Sequence, residues 1–543
     1  MIMICDNLRL LFPTADDAAL HEAAIAPVEQ RSVLVDGEMR QWTGPINHVL
    51  SPVMVRGSNG ELTQMRIGSY PCGDVAAAMA ALDSAVAAYD RGRGAWPSMR
   101  VSERILAVQG FLAGMCARRA EVTRLIMWEI GKTLAESEKE FDRTVDYVRQ
   151  TIGALRNLDN ANSRFEIVEG VIGLIRRTPI GVVLCMGPYN YPLNETFATL
   201  IPALIMGNCV VFKPPRHGVL LFEPLLEAFR TAFPPGVLNF AYGEAAEIIP
   251  RLLETGKINV LTLIGSSRVA DHLKKLHPKT NRLRAILGLD AKNAAIIMPD
   301  ADIALAAKEC LLGALSFNGQ RCTALKMLLV HRDVADPFIS ALLAELGQLK
   351  IGMPWEAGVA LTPLPSVEKV NQMNALLDDA IAKGARILNA GGGATVGTLF
   401  YPAVVYPVGP SMRLFREEQF GPLIPVMEFE NVDLALDYVA TSEHGQQVSL
   451  FACDPDVIGR MSDALVNQVC RVNLNCQCQR GPDVFPFTGR KDAAEGTLSV
   501  TDALRSFSIR SMVAAKYTSS SRAILNTVLE GRHSNFIHTE FIL

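Results

Sequence analysis

Pro179-Ile-Gly-Val-Val-Leu-Cys-Met-Gly-Pro-Tyr-Asn190-Tyr191-Pro192 is the stretch on which the reading of the fold turns. Residues 181–186 form a short apolar run that Gly187-Pro188 cuts off, the pattern of a buried strand ending in a turn. Similar runs at 209–213, 237–241, 260–263 and 294–298 alternate with helical stretches up to about Pro299. That alternation predicts a doubly wound α/β domain. A second alternation follows from Ala301 to about Phe487, with strands expected at 326–331, 386–388, 423–429 and 449–453, and predicts a second α/β domain.

Upstream, residues 74–157 read as helical, with Ile105, Val108, Leu112 and Met115 recurring at three and four residues. Residues 164–177 alternate β-branched with polar side chains and are expected to form an extended arm or hairpin. Residues 1 to about 70 read as irregular, with a short strand at 32–35 and turns at Asp36-Gly37 and Asn59-Gly60. The tail from Thr518 is Ser-rich, then aromatic, and matches no element.

The 543 residues suffice for about three domains, and 49% of them are hydrophobic. Lys and Arg number 52 against 56 Asp and Glu, so no global basic field exists to hold nucleic acid, although a local cationic pocket is compatible with this balance. Eleven cysteines without paired spacing are expected to be mostly reduced, in a cytoplasmic protein. Asp6 and Arg9 break the apolar opening before a signal core forms, and no run of 18 apolar residues occurs, so no membrane association is expected. No metal site is expected either.

Two residues carry the chemistry. Cys322, in Phe317-Asn-Gly-Gln-Arg-Cys322-Thr, follows Arg321, a cation able to stabilise a thiolate. The competing reading is a small buried apolar residue, the usual fate of a free cysteine. Asn190 stands just beyond the carboxyl end of its strand, where α/β sheets place ligands, and its amide can donate to an oxyanion. Alone it reads more readily as a turn residue.

Gly187-Pro-Tyr-Asn-Tyr-Pro192, Gly207-Asn208, Val211-Phe-Lys213-Pro214, Pro235-Gly236-Val237, Gly265-Ser266, Gly319-Gln-Arg-Cys322-Thr and Glu417-Glu418-Gln-Phe420-Gly-Pro422 follow the order seen in aldehyde dehydrogenases, which the chain resembles from about residue 70 to about 515. The resemblance implies a Rossmann-type cofactor domain (71–155 and 178–298), an α/β catalytic domain (299–500) and a small β oligomerisation arm (156–177 and 501–517). An N-terminal extension (1–70) and a C-terminal tail (518–543) would flank them, and the arm implies a homo-oligomer, a dimer or a tetramer. It implies Cys322 as the nucleophile that forms a thiohemiacetal and then a thioester, with Asn190 and the Cys322 backbone N–H on the oxyanion. Lys213 would bind the adenosine ribose, Gly265 and Ser266 the pyrophosphate, and Glu418 the nicotinamide ribose, with Phe420 beside the nicotinamide. Arg216, three residues beyond Lys213, can pair with a 2′-phosphate, which favours NADP and leaves NAD open. Each of these also has a plain reading as a surface residue, cap or core aromatic.

Within the superfamily, Cys478-Gln-Arg480-Gly-Pro-Asp483-Val-Phe-Pro-Phe487, Asn190-Tyr191-Pro192 and Gln320-Arg321-Cys322-Thr323 look most like the non-phosphorylating glyceraldehyde-3-phosphate dehydrogenases. That likeness implies a substrate phosphate held by Arg143, Tyr191, Arg321 and Arg480. The chain departs from the family where the pattern L-E-L-G-G-K becomes Leu287-Gly288-Leu289-Asp290-Ala291-Lys292: the general-base Glu falls on Gly288. Asp290 is the nearest carboxylate, on the same face of an extended strand but displaced by about 6 to 7 Å. The second glycine of the nucleotide loop is missing from Gly265-Ser-Ser-Arg-Val-Ala270. The leading expectation is therefore NADP-dependent oxidation of glyceraldehyde 3-phosphate to the acid. The alternatives are a coenzyme A-acylating semialdehyde dehydrogenase, which also lacks the Glu, and a catalytically silent homologue.

Overall fold

The computed structural model describes residues 2–21 and 24–542; the extreme ends of the expected N-terminal extension and C-terminal tail, Met1 and Leu543, lie outside the described residues, as do Glu22 and Ala23. The first sheet has the order Leu238–Phe240, Cys209–Lys213, Val182–Met186, Val260–Ile264, Arg284–Gly288, all parallel, with the short antiparallel strand Ala494–Glu495 at its edge. The first strand in sequence, Val182–Met186, lies in the middle, and the chain winds outward from it in both directions. A crevice opens where the direction reverses, between the carboxyl ends of Val182–Met186 and Val260–Ile264, which pair in register Leu263 to Met186. Helices cover both faces, so these strands are buried on both sides and read as unbroken apolar runs.

The second sheet has the order Arg386–Ile387, Ala403–Tyr406, Leu423–Phe429, Met327–His331, Ala294–Ile297, Gln447–Phe451, Arg471–Leu474, parallel except at its Arg386–Ile387 edge. Here the sequence reading needs correction. The run at 294–298, expected with the first domain's strands, pairs with Met327–His331 and Gln447–Phe451 in the second sheet. The last parallel strand of the first sheet is Arg284–Gly288, which the apolar pattern did not single out. An apolar run states that a strand is buried, not which sheet accepts it.

Residues 1–70 are also more ordered than expected. Ile2–Leu11 and Ala15–Leu20 are helices, and Ile46–Arg56 pairs with Leu62–Pro71 across the Asn59-Gly60 turn. Register shifts at Leu50 and before Met54 break the alternation of this hairpin, which hides it from a period-two reading. The strand expected at 32–35 forms, turning at Asp36-Gly37 into Glu38–Gln41.

The arm is a hairpin, Phe165–Val168 and Val171–Pro179, onto which Ser508–Lys516 adds as a third strand. After it, Ser519–Glu530 is a helix capped by Thr518, and the aromatic end folds back: Asn160 exchanges two hydrogen bonds with the Ile542 backbone, at 2.8 and 3.0 Å. Among the described residues no helix is long and apolar enough to cross a membrane.

Candidate active site

Cys322 lies in the connection from the helix Ile303–Leu315 to the strand Met327–His331. Phe317, Asn318 and Gly319 there all have positive φ, 49°, 55° and 73°. Such backbone persists only where its surroundings over-determine it. Asn318 does so by donating to the Thr362 carbonyl at 3.0 Å and accepting from its N–H at 3.0 Å. Gly319 has no alternative, since a Cβ would meet the carbonyl oxygens of Ala314 and Gly421, both at 2.7 Å. Lys326 ties the Gly319 and Gln419 carbonyls together, each at 2.9 Å, and Asn293 donates to the Cys322 carbonyl at 2.8 Å.

Burial pushes the Cys322 thiol up from its ordinary value and the Glu418 carboxylate adds to this, while the Gln446 side chain, Lys326 and Arg321 oppose it. The expectation that Arg321 holds a thiolate is thus met only weakly. The Arg321 guanidinium points to the Gly313 carbonyl at 3.0 Å and Gln477 at 3.3 Å, and its Nε is buried without a partner.

Asn190 donates from Nδ2 to the Gln320 carbonyl at 2.8 Å, beside the cysteine loop. An amide carries two such N–H groups, so one remains for an oxyanion. What holds Asn190 there was invisible in the sequence. Lys132, fully buried, donates to the Asn190 carbonyl at 2.8 Å and pairs with buried Glu140. Glu140 in turn accepts from the N–H groups of Leu193 and Asn194 at 3.0 and 3.1 Å, at the start of the helix Asn194–Ile205. The Lys132 ammonium also sits 3.5 Å from the Tyr191 ring centroid and 4.4 Å from that of Phe317. A lysine in the mostly apolar stretch 125–134, which also holds Glu129 and Thr133, was the one available signal.

On the far side of the crevice, Lys213 is buried with a single acceptor, the Pro214 carbonyl at 3.0 Å, and burial lowers it to about 8. Arg216 is exposed on the same cavity. Gly265 donates to the Gly288 carbonyl at 3.0 Å, and Ser266 caps the helix Ser267–Leu276. Glu418 is partly buried; its Oε1 is sealed from solvent 3.7 Å from the Lys326 ammonium with no hydrogen bond to that atom, and desolvation raises the carboxyl to about 7. Phe420 lies beneath Lys326, 4.6 Å from its centroid, and edge-on to Tyr189. The orphan Glu418 oxygen and the under-used Lys213 ammonium fit the two riboses of a nicotinamide dinucleotide.

Asp290 is placed differently from expectation. Its Oδ2 accepts from the Ser267 N–H at 2.8 Å and the Ser267 hydroxyl at 2.9 Å, so it caps the first turn of the helix that Ser266 begins. This explains the carboxylate as a partner of the helix start and not as a free base. Gly288, at the end of its strand, has room: a Cβ would lie 3.5 Å from Ile264 and 4.0 Å from Leu498.

The arginines expected to meet a phosphate converge, but two of the three are already paired. Arg143 makes a two-pronged bond to Asp483, at 2.9 and 2.7 Å. Arg480, buried, pairs with Glu195, reaches Asp483 at 3.3 Å and stacks on Phe487. Tyr191 is half-buried, with the Lys132 ammonium over its ring and Phe317 edge-on to it. Every site residue named from the sequence lines one cavity of about 1600 Å³, together with Gly288. Among the described residues no cluster of His, Cys, Asp and Glu is arranged to hold a metal.

The family model "Aldehyde dehydrogenase family" matches residues 58–513. An enzyme of Streptococcus equinus named NADP-dependent glyceraldehyde-3-phosphate dehydrogenase is 32% identical over 467 residues, 84% of this chain and 93% of that one. A malonate-semialdehyde dehydrogenase of Listeria monocytogenes is 28% identical over 445 residues, 81% and 90% of the two chains. The crystal structure of an NADP-dependent glyceraldehyde-3-phosphate dehydrogenase from Bacillus halodurans, complexed with NADP, superimposes with a TM-score of 0.81 at 29% identity, covering 90% of this chain and all of that one.

Proposed function

The chain belongs to the aldehyde dehydrogenase family, and from that premise we propose that it oxidises a phosphorylated aldehyde, glyceraldehyde 3-phosphate, with NADP as acceptor. The observation that carries this reading is the convergence of the Cys322 thiol, the Asn190 amide and the guanidinium groups of Arg143, Arg321 and Arg480 on one cavity. The likeness to enzymes named for that substrate and cofactor supports it.

Cys322 Sγ attacks the aldehyde carbon as its proton leaves, and the new oxyanion meets the second Asn190 N–H and the Cys322 backbone N–H. NADP, when bound, accepts the hydride that this carbon gives up. Lys213 and Glu418 would hold its riboses, Gly265 and Ser266 its pyrophosphate, and Arg216 a 2′-phosphate. The carbon is left as a thioester on Cys322. Arg143, Arg321 and Arg480 hold the substrate's other end, the unpartnered Nε of Arg321 being the donor that no protein group satisfies.

A second reading sends the thioester to coenzyme A, and one observation favours it: the chain carries no side chain at Gly288, where the family's base would stand. NADPH formation from glyceraldehyde 3-phosphate, with and without coenzyme A, tests both. Turnover without coenzyme A supports the first, and turnover only in its presence the second. The free edge of the arm strand Phe165–Val168, with Ile167 and Val168 exposed, supports a homo-oligomer built by strand addition.

A further inference from the structure

Glu129 lies in the last turn of the helix Arg119–Ile130 with no solvent exposure, and among the described residues no cation pairs with it. Its two carboxylate oxygens accept instead from the backbone N–H groups of Val219 and Leu220, at 2.8 and 2.9 Å. Burying a carboxylate without a counter-ion is expensive, and an apolar residue would fill the same space at lower cost. The two N–H groups close the loop Pro214-Pro-Arg216-His217-Gly218, which leaves the strand Cys209–Lys213. Arg216, exposed on the cavity, makes no hydrogen bond or ion pair among the described residues, so its place is set by the two ends of the loop. At one end Lys213 pairs with Met186 in the sheet, and the two prolines stiffen the exit. At the other, Gly218 has a φ of 84°, a Cβ there would meet Pro192 at 2.5 Å, and Glu129 takes the next two N–H groups. The anchor is itself fixed: Gly131 ends the Glu129 helix with a φ of 71°, and a Cβ there would meet the Pro363 carbonyl oxygen at 2.5 Å. The next residue, Lys132, holds the Asn190 carbonyl, so residues 129–132 tie down both the nucleotide loop and the oxyanion amide.

We propose that Glu129 is a positioning residue for cofactor choice: by anchoring the Val219 and Leu220 N–H groups it fixes the loop end from which Arg216 reaches a nucleotide 2′-phosphate. The inference rests on the reading of Arg216 as the partner of that phosphate. Lys213 belongs to the sheet and keeps its place whether or not the loop is anchored, so the ribose contact that NAD and NADP share does not need Glu129. Arg216 belongs to the loop, so the contact that NADP alone makes does need it. An arginine already in place loses less freedom on binding than one on a free loop.

Glu129 also caps the short helix Leu220–Leu225. A cap alone contributes stability, and its loss would lower the melting temperature without changing the ratio of NADP to NAD affinity. Positioning of Arg216 changes that ratio, so the two roles differ in a measurable quantity.

The test is calorimetric titration of NADP and of NAD into wild type, Glu129→Gln, Arg216→Gln and the double variant. Glu129→Gln keeps the shape but turns one acceptor into a donor facing a backbone N–H. Its Kd for NADP should rise roughly ten- to hundredfold, while its Kd for NAD changes by less than about twofold. Arg216→Gln should give the same pattern, and adding Glu129→Gln to it should weaken NADP by less than about twofold more, because the one acts through the other. Hydrogen exchange on wild type, read by mass spectrometry on overlapping peptides, needs no variant: the Val219 and Leu220 amides should exchange far more slowly than those of Arg216 and His217. If Glu129→Gln does not fold, Glu129→Asp, which keeps the charge but draws it back from the loop, takes its place with the same expected pattern. A ratio of NADP to NAD affinity unchanged in the Glu129 variant but lowered in Arg216→Gln would overturn the proposal and leave the Arg216 reading standing. A ratio unchanged in Arg216→Gln would refute that reading and the proposal with it. Equal losses for both nucleotides would reduce Glu129 to a stabilising cap, and additive losses of NADP affinity in the double variant would show that it acts apart from Arg216; either overturns the proposal. Exchange at 219–220 in wild type as fast as at 216–217 would overturn it without any variant.

Discussion

Glu195 offers the sharpest perturbation of the substrate pocket. Arg143, Arg321 and Arg480 bring three positive charges, and Asp483 and Glu195 remove two of them. A phosphorylated substrate carries about two negative charges near neutral pH, so it enters a pocket only partly cationic and must share Arg480 with a buried carboxylate. Glu195→Gln keeps the shape and an acceptor for Arg480 but removes the competing charge. Freeing one charge-assisted contact is worth about 1.5 to 3 kcal/mol. Part of this is offset because Arg480, itself buried, loses an ion-pair partner and falls back on Asp483 and the Leu498 carbonyl. The net expectation is an increase of about tenfold in kcat/KM for glyceraldehyde 3-phosphate, carried by KM. Unphosphorylated glyceraldehyde, which leaves the arginines untouched, should change by less than about twofold. Steady-state kinetics on the two substrates, with a melting curve to confirm folding, measure this. Equal shifts for both, or a higher KM for the phosphorylated one, would show that the phosphate does not lie against Arg480.

Lys132→Met should destabilise the protein by about 3 to 5 kcal/mol in urea unfolding, because it strands the Glu140 carboxylate in a fully buried site, and adding Glu140→Gln should recover part of the loss. Asp290→Gly should tighten NADP binding on the order of tenfold by fluorescence titration, since it removes a negative charge from the helix start where the pyrophosphate is proposed to lie. Alkylation of Cys322 by iodoacetamide should accelerate as pH rises, because burial and Glu418 hold the thiol above its ordinary value and only the thiolate reacts. Glu418→Gln should move that profile to lower pH by removing the second of those causes; an unmoved profile would sever the link between the two residues.

How much of this was legible depended on whether the physics was local. Strands such as Val182–Met186 and Cys209–Lys213 are buried on both faces, so their composition alone marks them. Arg284–Gly288 opens on Arg284 and closes on Gly288 and hid for that reason, while Ala294–Ile297 was visible but its sheet was not, because pairing is decided by partners far away in sequence. The hairpin of Ile46–Arg56 and Leu62–Pro71 was lost to its register shifts. In the site, motif residues such as Cys322, Asn190 and Glu418 were readable because their spacing is characteristic. Their partners were not: Lys132 and Glu140 under Asn190, Asn293 on the Cys322 carbonyl, and Glu195 and Asp483 on the arginines come from separate stretches that only the fold assembles. The charge-neutralised state of Arg143 and Arg480 is the clearest instance, since the sequence showed the cations and gave no reason to seat carboxylates on them.

The account turns on the covalent role of Cys322. The most direct measurement is to mix the enzyme with NADP and glyceraldehyde 3-phosphate, quench with acid within the first turnovers, and map the peptides by mass spectrometry alongside the NADPH formed. The account predicts an acyl thioester on the Cys322 peptide and about one NADPH per chain in the first turnover, with both absent from Cys322→Ala although that variant still binds NADP. NADPH formation that survives in Cys322→Ala, or an adduct on any other of the eleven cysteines, would contradict it.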